Sequence, residues 1–315
     1  MCARFQNRLA ELRCLIENRL SSLVDRDYRL LEIPDYPNPG DVLIYEGERC
    51  FLKTLPHRCI EQSTMSSFQL RNPHISKDEL LIFRGGGYFG DLWPMGPRFQ
   101  AKILERYPDN PMIIFPQSAC FSSSDNLRSA VERYGAHHNL TICMRDSQSY
   151  DFVRKYFSNQ VLLVPDLAFY ADVTPWHRPC ESNGRVLFLR REDVEFKLSP
   201  AMESLCCRHD VDISDWPTMQ SNKWMEFLMG KIHRYPHRLA YLNDWMAKSF
   251  YRSWHLSHAI RFLEPYDEVY STRLHGCVLA LLMGKTVHAF DNSTGKVASL
   301  IKTWLDGVDS IILED

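Results

Sequence analysis

Leu80-Leu81-Ile82-Phe83-Arg84-Gly85-Gly86-Gly87-Tyr88-Phe89-Gly90-Asp91 decides the fold. Four apolar residues make a short buried strand that opens directly into three glycines. An open α/β sheet gathers ligands at the carboxyl ends of its strands. Without side chains there, the chain can turn sharply and offer backbone N–H groups to a ligand. The run is not a P-loop, since no Gly-Lys-Ser/Thr follows, and it lacks the Gly-x-Gly-x-x-Gly spacing of a dinucleotide fold. Tight packing alone would also explain glycines. Tyr88, Phe89, Trp93 and Asp91 travel with them, however, and aromatic faces beside carboxylates suit a sugar. A second turn of this kind, Ser271-Thr272-Arg273-Leu274-His275-Gly276, follows the apolar Val269–Tyr270 and precedes a helix-like stretch. The distance between the two turns in the chain implies a cleft built from two halves.

Outward from these turns, short apolar runs alternate with helical patterns. Arg29–Ile33, His57–Glu61, Met112–Phe115, Leu140–Met144 and Val161–Val164 have strand character in the first half, and Arg185–Leu189 and Thr286–Phe290 in the second. Val42–Leu55, Asp125–Tyr134 and Ser147–Phe157 have helix character, and Trp216 to Pro265 looks mainly helical with breaks near Pro236 and Asn243. Such alternation predicts mostly parallel sheets with helices on both faces. Val173–Gly184, with Pro175, Pro179 and Gly184, is the best linker. The fold expected is α/β: two Rossmann-like domains facing across a cleft, residues 1–175 and 176–315, the final helix free to pack back on the first domain.

Composition narrows the function. A formal charge of −2 with no long Lys/Arg block argues against nucleic acid as a partner. Ten cysteines show no regular framework and no C-x-x-C pair, so reduced thiols in a cytoplasmic protein without a signal peptide are expected. No apolar run is long enough to span a membrane. Phe5, Leu9, Leu12, Ile16, Leu20 and Leu23 recur at helical spacing among arginines. That helix would either pack on its own domain or rest on an anionic membrane surface.

Asn38-Pro39-Gly40-Asp41 sits at another strand-to-helix turn, where Asp41 either caps the helix or points into the cleft as a base. The second half supplies positive charge. Arg190 and Arg191 end one strand, Arg273 and His275 follow another, and Asp291-Asn292-Ser293-Thr294-Gly295-Lys296 follows a third. Arginine forks and helix N–H groups match carboxylate and phosphate oxygens, so a small anion carrying both would suit the set. An imidazole titrates near neutrality, which fits His275 to act as an acid. His255-x-x-His258 lacks a paired acidic ligand and is no zinc motif. No Gly-x-Ser-x-Gly elbow marks a serine hydrolase.

Taken in order, Asn38-x-Gly40-Asp41, Gly85-Gly86-Gly87-x-Phe89-Gly90-Asp91, Pro116-Gln117-Ser118, Arg145-Asp146-x-x-Ser149-Tyr150, Pro165-Asp166, Arg190-x-x-Asp193, Arg273-Leu274-His275-Gly276 and Asp291-Asn292-Ser293-x-Gly295-Lys296 resemble the polysaccharide pyruvyl transferase family. The resemblance implies a GT-B-like fold. It also implies phosphoenolpyruvate as co-substrate without a further cofactor or metal, and a glycan acceptor on which pyruvate becomes a cyclic ketal, commonly across O4 and O6 of a hexose. Acceptors of the family are often lipid-linked, which gives the basic N-terminal helix a reason to approach the inner face of the cytoplasmic membrane. The catalytic set expected is His275, Asp41 and Asp91. Arg190, Arg273, Asn292, Ser293, Gly295 and Lys296 would hold the donor, and Asn38, Gly86, Gly87, Tyr88, Phe89, Trp93 and Gln117 the acceptor. A nucleotide-sugar glycosyltransferase would share the fold and the acceptor. A noncatalytic glycan-binding protein would not need the cations.

Overall fold

The computed structural model describes residues 3–71, 73–178, 182–217 and 236–314. The first half runs α1 (Ala3–Leu20), β1 (Tyr28–Leu31), α2 (Pro39–Leu52), β2 (Cys59–Ser63), α3 (Met65–Arg71), β3 (Leu80–Phe83), β4 (Gly86–Gly90), α4 (Met95–Arg106), β5 (Met112–Cys120), α5 (Ser124–Gly135), β6 (Leu140–Met144), α6 (Ser147–Tyr156) and β7 (Gln160–Leu163). The second runs β8 (Val186–Leu189), α7 (Pro200–Cys206), β9 (Val211–Ser214), α8 (Pro236–Met246), α9 (Arg252–Leu263), β10 (Glu268–Ser271), α10 (Leu274–Leu282), β11 (Thr286–Phe290), α11 (Lys296–Trp304) and β12 (Ile311–Glu314). A π-helical stretch, Ala247–Tyr251, joins α8 to α9.

Two parallel sheets result, ordered β2-β1-β3-β5-β6-β7 with β4 on β5, and β12-β11-β10-β8-β9. The unbroken apolar run of β3 has a physical cause. Leu81 and Phe83 enter the core on one face of the sheet, Leu80 and Ile82 the core on the other. The glycine run departs from the sequence expectation of a turn leading to a helix. It leaves β3 and lies along the far end of β5 as β4. β5 outlasts its neighbour and offers that free ladder. Gly86 and Gly90 adopt φ of 152° and 140°, and a Cβ on Gly90 would sit 1.7 Å from the Cys120 carbonyl oxygen.

The halves share one core. Val42, Leu43 and Ile44 of α2 pack with Leu274, Val278 and Leu281 of α10, and Phe5, Leu9 and Leu12 of α1 join them. Ile16 and Leu20 of α1 belong instead to the core beneath the first sheet. These α1 side chains are buried, so the stripe that could have met a membrane is used inside the protein. Among the described residues no helix is long and apolar enough to cross a membrane. From α11, Trp304 Nε1 donates to the Arg145 carbonyl at 2.6 Å and Ser299 Oγ to Asp146 at 3.0 Å, which ties the helix to the first half. Asn243 is not a break: it lies inside α8 and donates to Asp35 and Thr64. The helical reading of 218–235 and the central part of the expected linker, 179–181, lie outside the described residues. The cysteines among the described residues are all free.

Candidate active site

A cavity of about 1620 Å3 opens between the sheets, and its charged lining comes largely from strand ends. Tyr36, Asn38 and Asp41 follow β1, Arg84, Gly87 and Tyr88 follow β3, and Arg145 follows β6. Arg191, Asp193 and Glu195 follow β8, Arg273 and His275 follow β10, and Lys296 opens α11 after β11. Parallel strands place all these groups at one edge, so residues far apart in the chain meet.

At the centre stands His275. Its Nε2 lies 3.1 Å from Asp166 Oδ2 and 3.2 Å from Arg145 Nη1, and Arg145 Nη1 donates to the same Asp166 oxygen at 2.7 Å. Burial pushes the Asp166 carboxyl up, but His275 and Arg145 overcome it and hold the group far below the ordinary carboxylate range. Gly40, in the first turn of α2, lies against the ring: a Cβ there would be 3.0 Å from His275 Nδ1. Arg145 is fixed further by a bond from Nε to Ser118 Oγ at 2.8 Å.

Beside the histidine, Asp41 accepts from Tyr36 Oη at 2.8 Å, Asn38 Nδ2 at 2.8 Å and Arg84 Nη1 at 3.1 Å. Burial opposes ionisation here too, yet Arg84 and His275 keep the carboxyl below its usual value. The helix cap is Asn38, whose side chain accepts from Gly40 N, so Asp41 is left to the cleft. Two buried acids stand behind the glycines. Glu48 accepts from Gly85 N at 2.7 Å, and burial pushes it up to about 8. Glu32 accepts from Tyr88 Oη at 2.9 Å and is pushed up to about 7.

On the opposite wall every cation has a carboxylate. Arg273 pairs with Asp215, Arg191 with Asp193 at 2.7 Å and Glu195 at 2.8 Å, and Lys296 with Glu195. Burial lowers the Lys296 ammonium despite that partner. Gly87 leaves the room in which these cations meet those of the first half. A Cβ on it would stand 2.9 Å from Arg145 Nη2 and 3.2 Å from Lys296 Nζ.

The structure thus brings Asn38, Asp41, Gly87, Tyr88, Trp93, Arg273, His275 and Lys296 to one cavity. It takes others elsewhere. Asp91 accepts from Ser122 N, Ser122 Oγ and Asn126 Nδ2, a loop cap rather than a cleft carboxylate. Arg190 is absent from the lining; side chains alternate at a strand end, so its neighbour Arg191 faces the cavity while Arg190 rests 3.7 Å from Glu192. Phe89 is buried among Phe121, Tyr134 and Phe157, which puts it in the core instead of against a sugar. Gln117 is also buried, accepting from Tyr88 N and donating to the Arg84 carbonyl, and Gly86 provides the bend. Asn292 Nδ2 donates to Glu195, Ser293 N to the Glu195 carbonyl, and Gly295 takes φ 74° ahead of α11. Those three shape the loop that presents Lys296. Arg191, read from the sequence among the cations of this half, takes the place expected of Arg190, and not foreseen were Arg145, Asp166 and Glu195. The first two stood in sequence segments already singled out; Glu195 carried no signal. Among the described residues no cluster of His, Cys, Asp or Glu could hold a metal ion.

The profile of the family described as polysaccharide pyruvyl transferase matches residues 25–294. The chain is 32% identical over 310 residues to "Putative pyruvyl transferase EpsO" of Bacillus subtilis, covering 94% of this chain and 92% of that one. It is 29% identical over 299 residues to "Pyruvyl transferase 1" of Schizosaccharomyces pombe, covering 88% and 69%. It is 26% identical over 293 residues to "General stress protein 30" of Bacillus subtilis, covering 90% and 79%. The crystal structure of a functionally uncharacterized protein from Klebsiella pneumoniae aligns over the whole of both chains with a TM-score of 0.59 at 18% identity, a likeness of fold alone. The sheet-end constellation and these relatives lead to one assignment: the chain belongs to the polysaccharide pyruvyl transferase family.

Proposed function

We propose that the cleft moves pyruvate from phosphoenolpyruvate onto two hydroxyls of a glycan hexose, forming a cyclic ketal and releasing phosphate. The setting is capsular, exo- or cell-wall polysaccharide synthesis, and O4 with O6 is the pair favoured. In this GT-B-like reading residues 1–175 present the acceptor and 176–315 most of the donor site. The observation that carries it is the gathering of Arg145 and Lys296 around Gly87, with His275 beside Arg145 and Asp41 beside the histidine. Neutral sugars alone do not need that much positive charge.

Arg145, Arg191, Arg273 and Lys296 hold the donor's carboxylate and phosphate, aided by N–H groups at the start of α10, whose cap makes no side-chain bond. Asp166 faces His275 Nε2 and stabilises the charged ring, so Nδ1 is the atom free to give a proton. That proton goes to the methylene carbon and leaves cationic character at C2. One acceptor oxygen bonds to C2 while its proton passes to Asp41. The C2–O bond to phosphate then breaks, with the electron pair on phosphate. The second hydroxyl closes the ring at C2, and its proton leaves with phosphate. Tyr88 and Trp93 offer aromatic faces to the sugar.

Hexose-bearing glycans incubated with phosphoenolpyruvate should gain pyruvate less water by mass spectrometry, with stoichiometric inorganic phosphate. Sugar transfer from a nucleotide-sugar, or sugar binding with no phosphate release, would reject the reading.

A further inference from the structure

Glu195 stands where the two walls of the cleft touch. Its side chain is 3% exposed, and Oε2 faces three donors: Lys296 Nζ, Arg191 Nη1 at 2.8 Å and Asn292 Nδ2 at 2.7 Å. The other oxygen, Oε1, accepts from Trp93 Nε1 at 3.1 Å, and Trp93 comes from the opposite half, just before α4. Among the described residues no other group on this wall is seen to bond across the cleft to an aromatic residue that lines it. The loop is pinned as well, since Ser293 N donates to the Glu195 carbonyl.

We propose that Glu195 is an internal anion that occupies the cations of the donor site and couples that site to the acceptor wall. This inference rests on the function proposed above for the identity of the ligand, though not for its charge. An incoming anionic group competes with Oε2 for Lys296 and Arg191. As those cations turn to the ligand, the buried carboxylate depends more on Trp93 and Asn292, because a buried charge must keep its remaining partners. Donor occupancy therefore tightens the hold on Trp93, and a firmly held Trp93 eases release of the cations. The coupling is reciprocal, as linkage between sites requires. Glu195 is a positioning and affinity-determining residue and does not touch the reacting atoms.

The test is the sign of one change. Calorimetric titration with phosphoenolpyruvate, and separately with inorganic phosphate, compares wild type with Glu195→Gln, Trp93→Phe and the double variant. Glu195→Gln is nearly isosteric and removes the competitor, so anion affinity should rise, ~3- to 10-fold for one charge-assisted contact. A scaffold residue would give a fall instead. Trp93→Phe keeps the ring and loses the donor, so anion affinity should drop a few-fold with Glu195 present and stay unchanged in the E195Q background. Weaker anion binding in E195Q with an unaltered Tm, or the same Trp93→Phe effect in both backgrounds, overturns the inference. Failure of the wild type to bind phosphoenolpyruvate, with phosphate affinity rising in E195Q, would reject the proposed donor and leave the role of Glu195 standing.

Discussion

After β3 the chain runs Arg84-Gly85-Gly86-Gly87, and after β10 it runs Thr272-Arg273-Leu274-His275-Gly276. Both turns end an inner strand of a parallel sheet, and both carry an arginine that is nearly buried, 1% and 8% exposed. In each the arginine is engaged by a carboxylate, Arg84 by Asp41 and Arg273 by Asp215. There the likeness ends. The first turn continues as strand β4 and contributes empty space at Gly87; the second begins α10 and contributes the His275 ring. Two turns with similar composition therefore differ in what they bring: one leaves room beside charged side chains, the other supplies an imidazole. A glycine beside a charged residue signals neither role by itself; the space around its missing Cβ does.

The sharpest way to break this contrast is His275→Asn. With His275 as the acid proposed above, the change should lower kcat by ~10^3-fold with donor affinity within about threefold, read by phosphate release and calorimetry. Retained turnover would strip the second turn of its assigned part.

The acids packed behind the first turn should make stability depend on pH. Glu48, raised to about 8, keeps its proton in the folded state through the range in which the unfolded chain has lost it. Its stabilising contribution is complete below the unfolded value of about 4.3 and is lost as pH rises through 8. Glu32, raised to about 7, acts in the same direction. Glu48→Gln should therefore recover up to roughly 5 kcal/mol at pH 9 and little at pH 4, measured by urea unfolding. An equal effect at both pH values would mean that the buried acid ionises normally.

A matched pair of alanines probes the spaces directly. The atoms nearest a Cβ on Gly87 are the charged ends of Arg145 and Lys296, so for Gly87→Ala the loss should fall on kcat/KM, ~10-fold through displaced charges, more than on Tm. Gly276→Ala places a Cβ 2.5 Å from Leu189 Cδ2 and 2.9 Å from Ser271 Oγ in the core. It should cost about 1–3 kcal/mol of stability, with the folded fraction still active. Reversal of that pattern would show that the turns had been assigned the wrong way round. The smallest change expected is Asp91→Asn, with turnover within about twofold and a loss of about 1 kcal/mol or less from the weakened loop cap.

Periodicity made the sheets legible because β3 and its neighbours are buried on both faces, and such strands are plain in the sequence. The cations after β8 were legible only to within one residue. Where the strand stops alternating is set by contacts such as Arg191 N to Thr272 Oγ1, which join segments 81 residues apart. Asp91 was misjudged for the same reason, since its partners Ser122 and Asn126 lie in another loop. Phe89 is as aromatic as Tyr88; only the packing of α5 and α6 onto β4 and β5 makes one core and the other cleft. Glu195 had no signature at all: its meaning is the meeting of four donors from three segments.

The first helix threads both cores, anchoring Phe5, Leu9 and Leu12 at one end and Ile16 and Leu20 at the other. A rod seated in two places resists a swing of either half about the other, since any swing would pull apolar side chains into water. The width of the gap between the sheets is thereby constrained in advance, and adjustment to a ligand would fall to the arginine, lysine and indole tips at its lips.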